Sequence, residues 1–78
     1  MAVSAFVLVD VTGDHTKSAY KTITRLEGVK GVYTVSGPHD IIVHIEAESL
    51  SHLSDLIVSR IRGVDGVMKT TTSIVLSI

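Results

Sequence analysis

Seventy-eight residues allow one domain, residues 1–78, with a thin core. There is no cysteine, which excludes a disulfide framework, a thiolate nucleophile and a Cys-based zinc site. Seven Lys and Arg against eight Asp and Glu give a net charge of −1 with no basic run of three, so the concentrated basic face that a self-sufficient DNA or RNA binder needs is missing.

Residues 2–11, AVSAFVLVDV, are rich in β-branched side chains and free of Gly and Pro, which predicts a strand. Both of its alternating sets, Ala5-Val7-Val9-Val11 and Ser4-Phe6-Leu8-Asp10, are apolar in the middle, as in a strand covered on both faces. Thr12 and Asp14 are candidate caps for the helix that follows, because each side chain can accept from a free N–H of the first turn. In that helix Ala19, Ile23 and Leu26 fall on one face, and Gly28 suits a left-handed stop.

Residues 29–36, VKGVYTVS, predict a second strand with a bulge or tight entry at Gly31. Gly37-Pro38-His39-Asp40 is a turn. Residues 41–47, IIVHIEA, predict a third strand, antiparallel to the second because the link is short. Ser49 is the candidate N-cap of a second helix over 50–62, with Leu50, Leu53, Ile57 and Ile61 as its apolar stripe, widened by Leu56, and Gly63 as its stop. Residues 67–78, VMKTTTSIVLSI, predict the last strand.

The order is therefore β-α-β-β-α-β. An internal echo supports it: Leu26-Glu27-Gly28-Val29-Lys30-Gly31-Val32 repeats as Ile61-Arg62-Gly63-Val64-Asp65-Gly66-Val67. Two such halves make an α+β, ferredoxin-like sandwich, with an antiparallel four-stranded sheet and both helices on one face. Strand alternation then assigns Phe6, Leu8, Ile42 and His44 to the uncovered face. Each apolar side chain left in water there forgoes about 1.5–3 kcal/mol of burial. Apolar residues make up 45% of the chain, so the expectation is a homodimer closed across this face. A one-residue error in strand phase would exchange the two faces.

No stretch approaches the ~20 apolar residues of a membrane span, and Met1-Ala2-Val3-Ser4 has no basic n-region. The expectation is a cytoplasmic chain without membrane association.

The run V-x-G-V-Y-x-V-S-G-x-x-D over 29–40, followed by G-V-x-G-V-x-x-T-T-T-x-I-V-L over 63–76, resembles the effector-binding RAM domain of Lrp/AsnC-type leucine-responsive regulators. The resemblance spans essentially the whole chain. It implies face-to-face dimers, further assembly into rings of dimers, and a free amino acid bound at subunit interfaces. It also implies an Lrp/AsnC-type regulator as a possible partner. Full-length regulators of this type carry an N-terminal helix-turn-helix, whereas here Met1 leads straight into the first strand. The expectation is a stand-alone module without direct DNA binding.

Turn chemistry alone accounts for Gly37, Pro38 and Asp40. The resemblance gives Gly37 and Asp40 a second role in the effector pocket, with Asp40 facing the ligand's ammonium and the loop N–H groups its carboxylate. His39 departs from the aromatic or acidic residues common at its position. Thr70 and Thr72 are candidate pocket wall by the same resemblance, and β-propensity explains them equally. His15, His39, His44 and His52 have no ligand-type spacing, so no metal or cofactor is expected, and His44 with Glu46 reads as an interface polar pair. No nucleophile motif, phosphate loop or cofactor fingerprint is present. The reading is a non-enzymatic, amino-acid-sensing, oligomerising module linked to transcription regulation. The alternatives are a small dimeric ferredoxin-like enzyme of the monooxygenase or isomerase type and a ligand-free structural module.

Overall fold

The computed structural model describes residues 2–76. β1 (Val3–Val11) leads through a 3-10 turn (Gly13–His15) into α1 (Thr16–Thr24). β2 (Val29–Thr34) and β3 (Ile41–Ala47) form a hairpin. α2 (Leu50–Asp55) runs directly into a π-helical stretch (Leu56–Ile61), and β4 (Val67–Ile74) follows. The sheet is antiparallel throughout, in the order β2-β3-β1-β4. This is the ferredoxin-like βαββαβ sandwich. β2 and β4 stop short of the expected 36 and 78; Ser77 and Ile78 lie outside the described residues.

The core follows the strand alternation. Ala5, Val7 and Val9 of β1 and Ile41, Val43 and Ile45 of β3 are fully buried, packed with Ala19 and Ile23 of α1 and Leu53, Ile57 and Ile61 of the second helix. Cross-strand partners share a face. Phe6 stands opposite His44 and Ser73, and Leu8 opposite Ile42 and Thr71. Phe6, Leu8, Ile42 and His44 therefore occupy the face without helices, in the phase that alternation gives.

Three local expectations are corrected. Neither Thr12 nor Asp14 caps by side chain: Thr12 Oγ1 lies 2.9 Å from His15 Nδ1 instead. Leu50, the first residue of α2, is exposed and does not join the apolar stripe. The second helix is not α-helical to its end; Arg62 N–H donates to Ile57 O at 3.0 Å, the i→i−5 bond of a π-helix. The Ser49 cap does form, with Oγ accepting from His52 N at 3.1 Å.

The internal repeat has a different frame in three dimensions. Gly28 and Gly66 both have φ +90, whereas Gly63 does not enter the positive-φ region. Leu26 N–H donates to Ile23 O and Val29 N–H to Leu26 O; Val64 N–H donates to Ile61 O and Val67 N–H to Val64 O. The equivalent segments are thus Leu26-Glu27-Gly28-Val29 and Val64-Asp65-Gly66-Val67, offset by 66 − 28 = 38 residues. Each is an apolar anchor, an acid, a left-handed Gly and the first Val of a strand. Each strand then bulges at its second residue: Lys30 is skipped in the β2–β3 register and Met68 in the β1–β4 register. The segment after β4 meets the start of β1 where Val75 N–H donates to Ser4 O at 2.9 Å.

Candidate functional site

Two features carry the sequence candidates: the 37–40 turn and the uncovered sheet face. The turn joins β2 to β3. Gly37 has φ +134, a backbone that L side chains rarely adopt, which is the local reason for glycine here. A Cβ at Gly37 would meet nothing within 4 Å, so within one subunit the requirement is conformational and not steric.

Asp40 closes the turn and also grips β1. Its carbonyl accepts from Val35 N–H and its N–H donates to Val9 O, both at 3.0 Å. Its Oδ2 accepts from Val11 N–H at 3.0 Å. The β1–β3 pairing ends at Val9 and Ile41, because the chain turns away at Pro38. The Asp40 carboxylate stands where a further β3 carbonyl would have been, and it satisfies the Val11 donor. One carboxylate oxygen is committed to the fold. His39, half-buried beside it, places Nδ1 2.9 Å from Asp10 Oδ1, within hydrogen-bond distance. Sequence spacing leaves His39 without a partner; Asp10 lies 29 positions earlier, and no local pattern signals the contact.

Thr70 and Thr72 stand opposite Val9 and Val7, so both point to the helix side of the edge strand β4. Thr71 and Ser73 share the uncovered face. β1 lies between β3 and β4, so Thr70 is separated from Asp40 by two strand spacings of about 4.8 Å each. One subunit does not bring Thr70 or Thr72 to the turn.

On the uncovered face the Phe6 and His44 rings stack with centroids 4.8 Å apart and planes at 17°. His44 therefore makes its contact with Phe6 and not with Glu46. The Tyr33 ring lies over Gly31 and extends the patch toward the β2 edge; a Cβ at Gly31 would fall 2.6 Å from its hydroxyl. Phe6 remains 39% exposed and Tyr33 56%. A separate concavity of about 770 Å³ lies at the far end of β3, lined by Glu46, Glu48, His52, Leu56 and Arg60 among others. It contains none of Gly37, Asp40, Thr70 and Thr72. Among the described residues, no group of three His, Cys, Asp or Glu is placed to hold a metal ion, and no helix is long and apolar enough to cross a membrane.

The sequence profile of the Lrp/AsnC ligand binding domain matches residues 4–78. The chain belongs to this family. A Thermus thermophilus protein of known crystal structure superposes with a TM-score of 0.92 at 28% identity, covering 97% of this chain and 95% of that one. A feast or famine regulatory protein of M. tuberculosis, complexed with L-methionine, superposes with a TM-score of 0.82 at 26% identity, covering 97% of this chain and 51% of its own. The homocitrate synthase of Sulfolobus acidocaldarius is 42% identical over 62 residues, which is 80% of this chain and 13% of the enzyme. The chain thus spans only a small part of the curated relatives that it matches.

Proposed function

We propose that this Lrp/AsnC ligand-binding domain is a cytoplasmic, non-enzymatic module that binds a free amino acid at the 37–40 turn and assembles through its uncovered sheet face. The observation that carries the reading is the Gly37–Asp40 turn. It combines a left-handed glycine, exposed backbone and a carboxylate with one oxygen committed to the fold. A zwitterion leaving water needs both charges met. The second Asp40 oxygen offers a partner for an α-ammonium, and N–H groups beside Gly37 offer donors for the carboxylate. The turn is an open surface in one subunit. A neighbouring subunit would complete it, and Thr70 or Thr72 of that neighbour would form part of its wall. The L-methionine complex of the M. tuberculosis relative supports the ligand class.

Assembly follows from the bare face: Phe6, Leu8, Ile42 and His44 would be buried in a dimer, and dimers would associate further into rings. The partner is a regulator of Lrp/AsnC type or a metabolic enzyme. The second of these is favoured by the homocitrate synthase match, in which the same domain occupies part of an enzyme chain. With net charge −1, the module acts without direct contact to DNA.

The test is a thermal-stability screen with the twenty amino acids. A ligand at 100 times its Kd stabilises the fold by about 2.7 kcal/mol. A response to one amino acid or a related few supports the sensor reading. Uniform silence leaves the structural-module reading, and turnover of a small substrate would favour the enzyme reading.

A further inference from the structure

We infer that His39 and Asp10 form a clasp that positions the 37–40 turn for its ligand, with His39 as a positioning residue acting through Asp10. The inference rests on the amino-acid reading above and adds the residue pair that sets the geometry of the site.

Two consecutive residues of the turn hold two consecutive residues of β1. Asp40 takes the Val11 N–H through its carboxylate, and His39 takes the Asp10 carboxylate through Nδ1. Because an ionised carboxylate only accepts, the proton in the second contact sits on Nδ1 of His39. Both side chains are about three-quarters shielded, at 25% and 28% exposure, so the contact is not a freely solvated surface pair. The segment 36–38, beyond these two anchors, makes no hydrogen bond of its own among those described. It also contains the left-handed Gly37. Its orientation therefore depends on how residues 39 and 40 are held. Asp40 alone would leave it to swing about one residue; His39 adds a second fixed point on the same strand.

The charged surroundings are few. Asp10 lies on the uncovered face, with His39 on its β3 side and Lys69 opposite it on β4. Lys69 is not within ion-pairing distance of Asp10, so Asp10 is held by the turn and not by the other edge. Asp40 is the remaining charged group of the turn. Because His39 engages Asp10, the turn carries its own charge partner from a neighbouring strand. Neither residue need touch the ligand for its loss to move Gly37.

The experiment uses the whole chain with four variants: His39→Ala, Asp10→Ala, the double variant, and His39→Asn, whose amide nitrogen can replace Nδ1. The ¹⁵N order parameters of Ser36, Gly37 and His39 read the turn without ligand. Calorimetric titration reads binding, with L-methionine as the first probe and then each of the other nineteen amino acids. Each alanine variant is expected to lower these order parameters from about 0.85 to below about 0.6 and to weaken binding at least tenfold, with the order parameters of β1 and β3 unchanged. The double variant is expected to be no worse than either single variant, and His39→Asn to bind within about threefold of the wild type. Unchanged order parameters in either single variant overturn the clasp, as do additive losses in the double variant. Lower order parameters with unaltered affinity overturn its role in binding. If the wild type binds none of the twenty amino acids, the sensor reading and the binding role both fail, and the order parameters decide the clasp alone.

Discussion

The two faces of β1 are built from alternate residues of one strand, yet they do different work. Val7 and Val9 are fully buried under the helices, while Phe6 and Leu8, one residue away on the other side, stay partly in water. The covered face has helices from its own chain to exclude solvent. The bare face has none, and its apolar side chains gain burial only from another surface. Hydrophobicity in this strand therefore specifies the fold on one side and, on our reading, association on the other.

Substitutions ranked by their cost to the fold test this division. Ile45→Ala removes a fully buried side chain at the centre of the sheet and is expected to cost about 2–5 kcal/mol, read from the denaturant midpoint. Asp40→Ala sits at the joint between turn and strand. It leaves the Val11 N–H without its acceptor, an expected loss of about 1–3 kcal/mol, whereas Asp40→Asn keeps an acceptor oxygen and should hold near wild-type stability. Both variants should lose amino-acid-dependent stabilisation, so the asparagine variant separates binding from folding. Ser49→Ala removes the cap on His52 N–H at the start of α2 and should cost about 1 kcal/mol on the covered side alone. Leu8→Lys is expected to leave the far-UV spectrum of the fold intact and to abolish self-association, because a dry interface would contain an unpaired charge. Sedimentation should then give a single 8.3 kDa species, the mass of one chain. A wild-type chain that already sediments at this mass would end the assigned role of the bare face.

Much of the fold was legible because the sheet obeys period two. Val, Ile and Leu at alternate positions of 3–11 and 41–47 placed both the core and the uncovered residues. The Gly28 stop and the Gly31 irregularity were also readable, since glycine marks positions that other residues avoid. The repeat was visible in a false frame. Apolar-x-Gly-Val-x-Gly-Val matches best at an offset of 35, but only one glycine in each copy takes φ +90, and those two are 38 apart. A sequence match weighs both glycines equally; the backbone does not. The π-helical end of α2 left no signal, because Leu56, Ile57 and Ile61 suit an α-helical stripe as well as a π-helical one.

At the site, turn chemistry explained Gly37 and Asp40 without indicating that Asp40 terminates β1. The His39–Asp10 contact joins residues 29 apart and follows from strand pairing alone. Thr70 and Thr72 were candidates by resemblance. Their phase on β4 depends on the Met68 bulge, which shifts the register by one residue and was not signalled by any glycine or proline.

The bond from Val75 N–H to Ser4 O gives the domain the layout of a plug. The start of β1 and the segment after β4 lie side by side at one end of the sheet, and β1 carries the distance from Ser4 to Val11 beside the 37–40 turn, seven rises of about 3.3 Å or roughly 23 Å. A polypeptide joined before Ser4 or after Val75 would attach at the end remote from the turn. Such a layout permits the same 38-residue half-repeats to be appended to, or inserted within, chains of unrelated architecture while the turn keeps its access to solutes. The homocitrate synthase match, where the domain accounts for 13% of a much longer enzyme, is the kind of splice this layout tolerates.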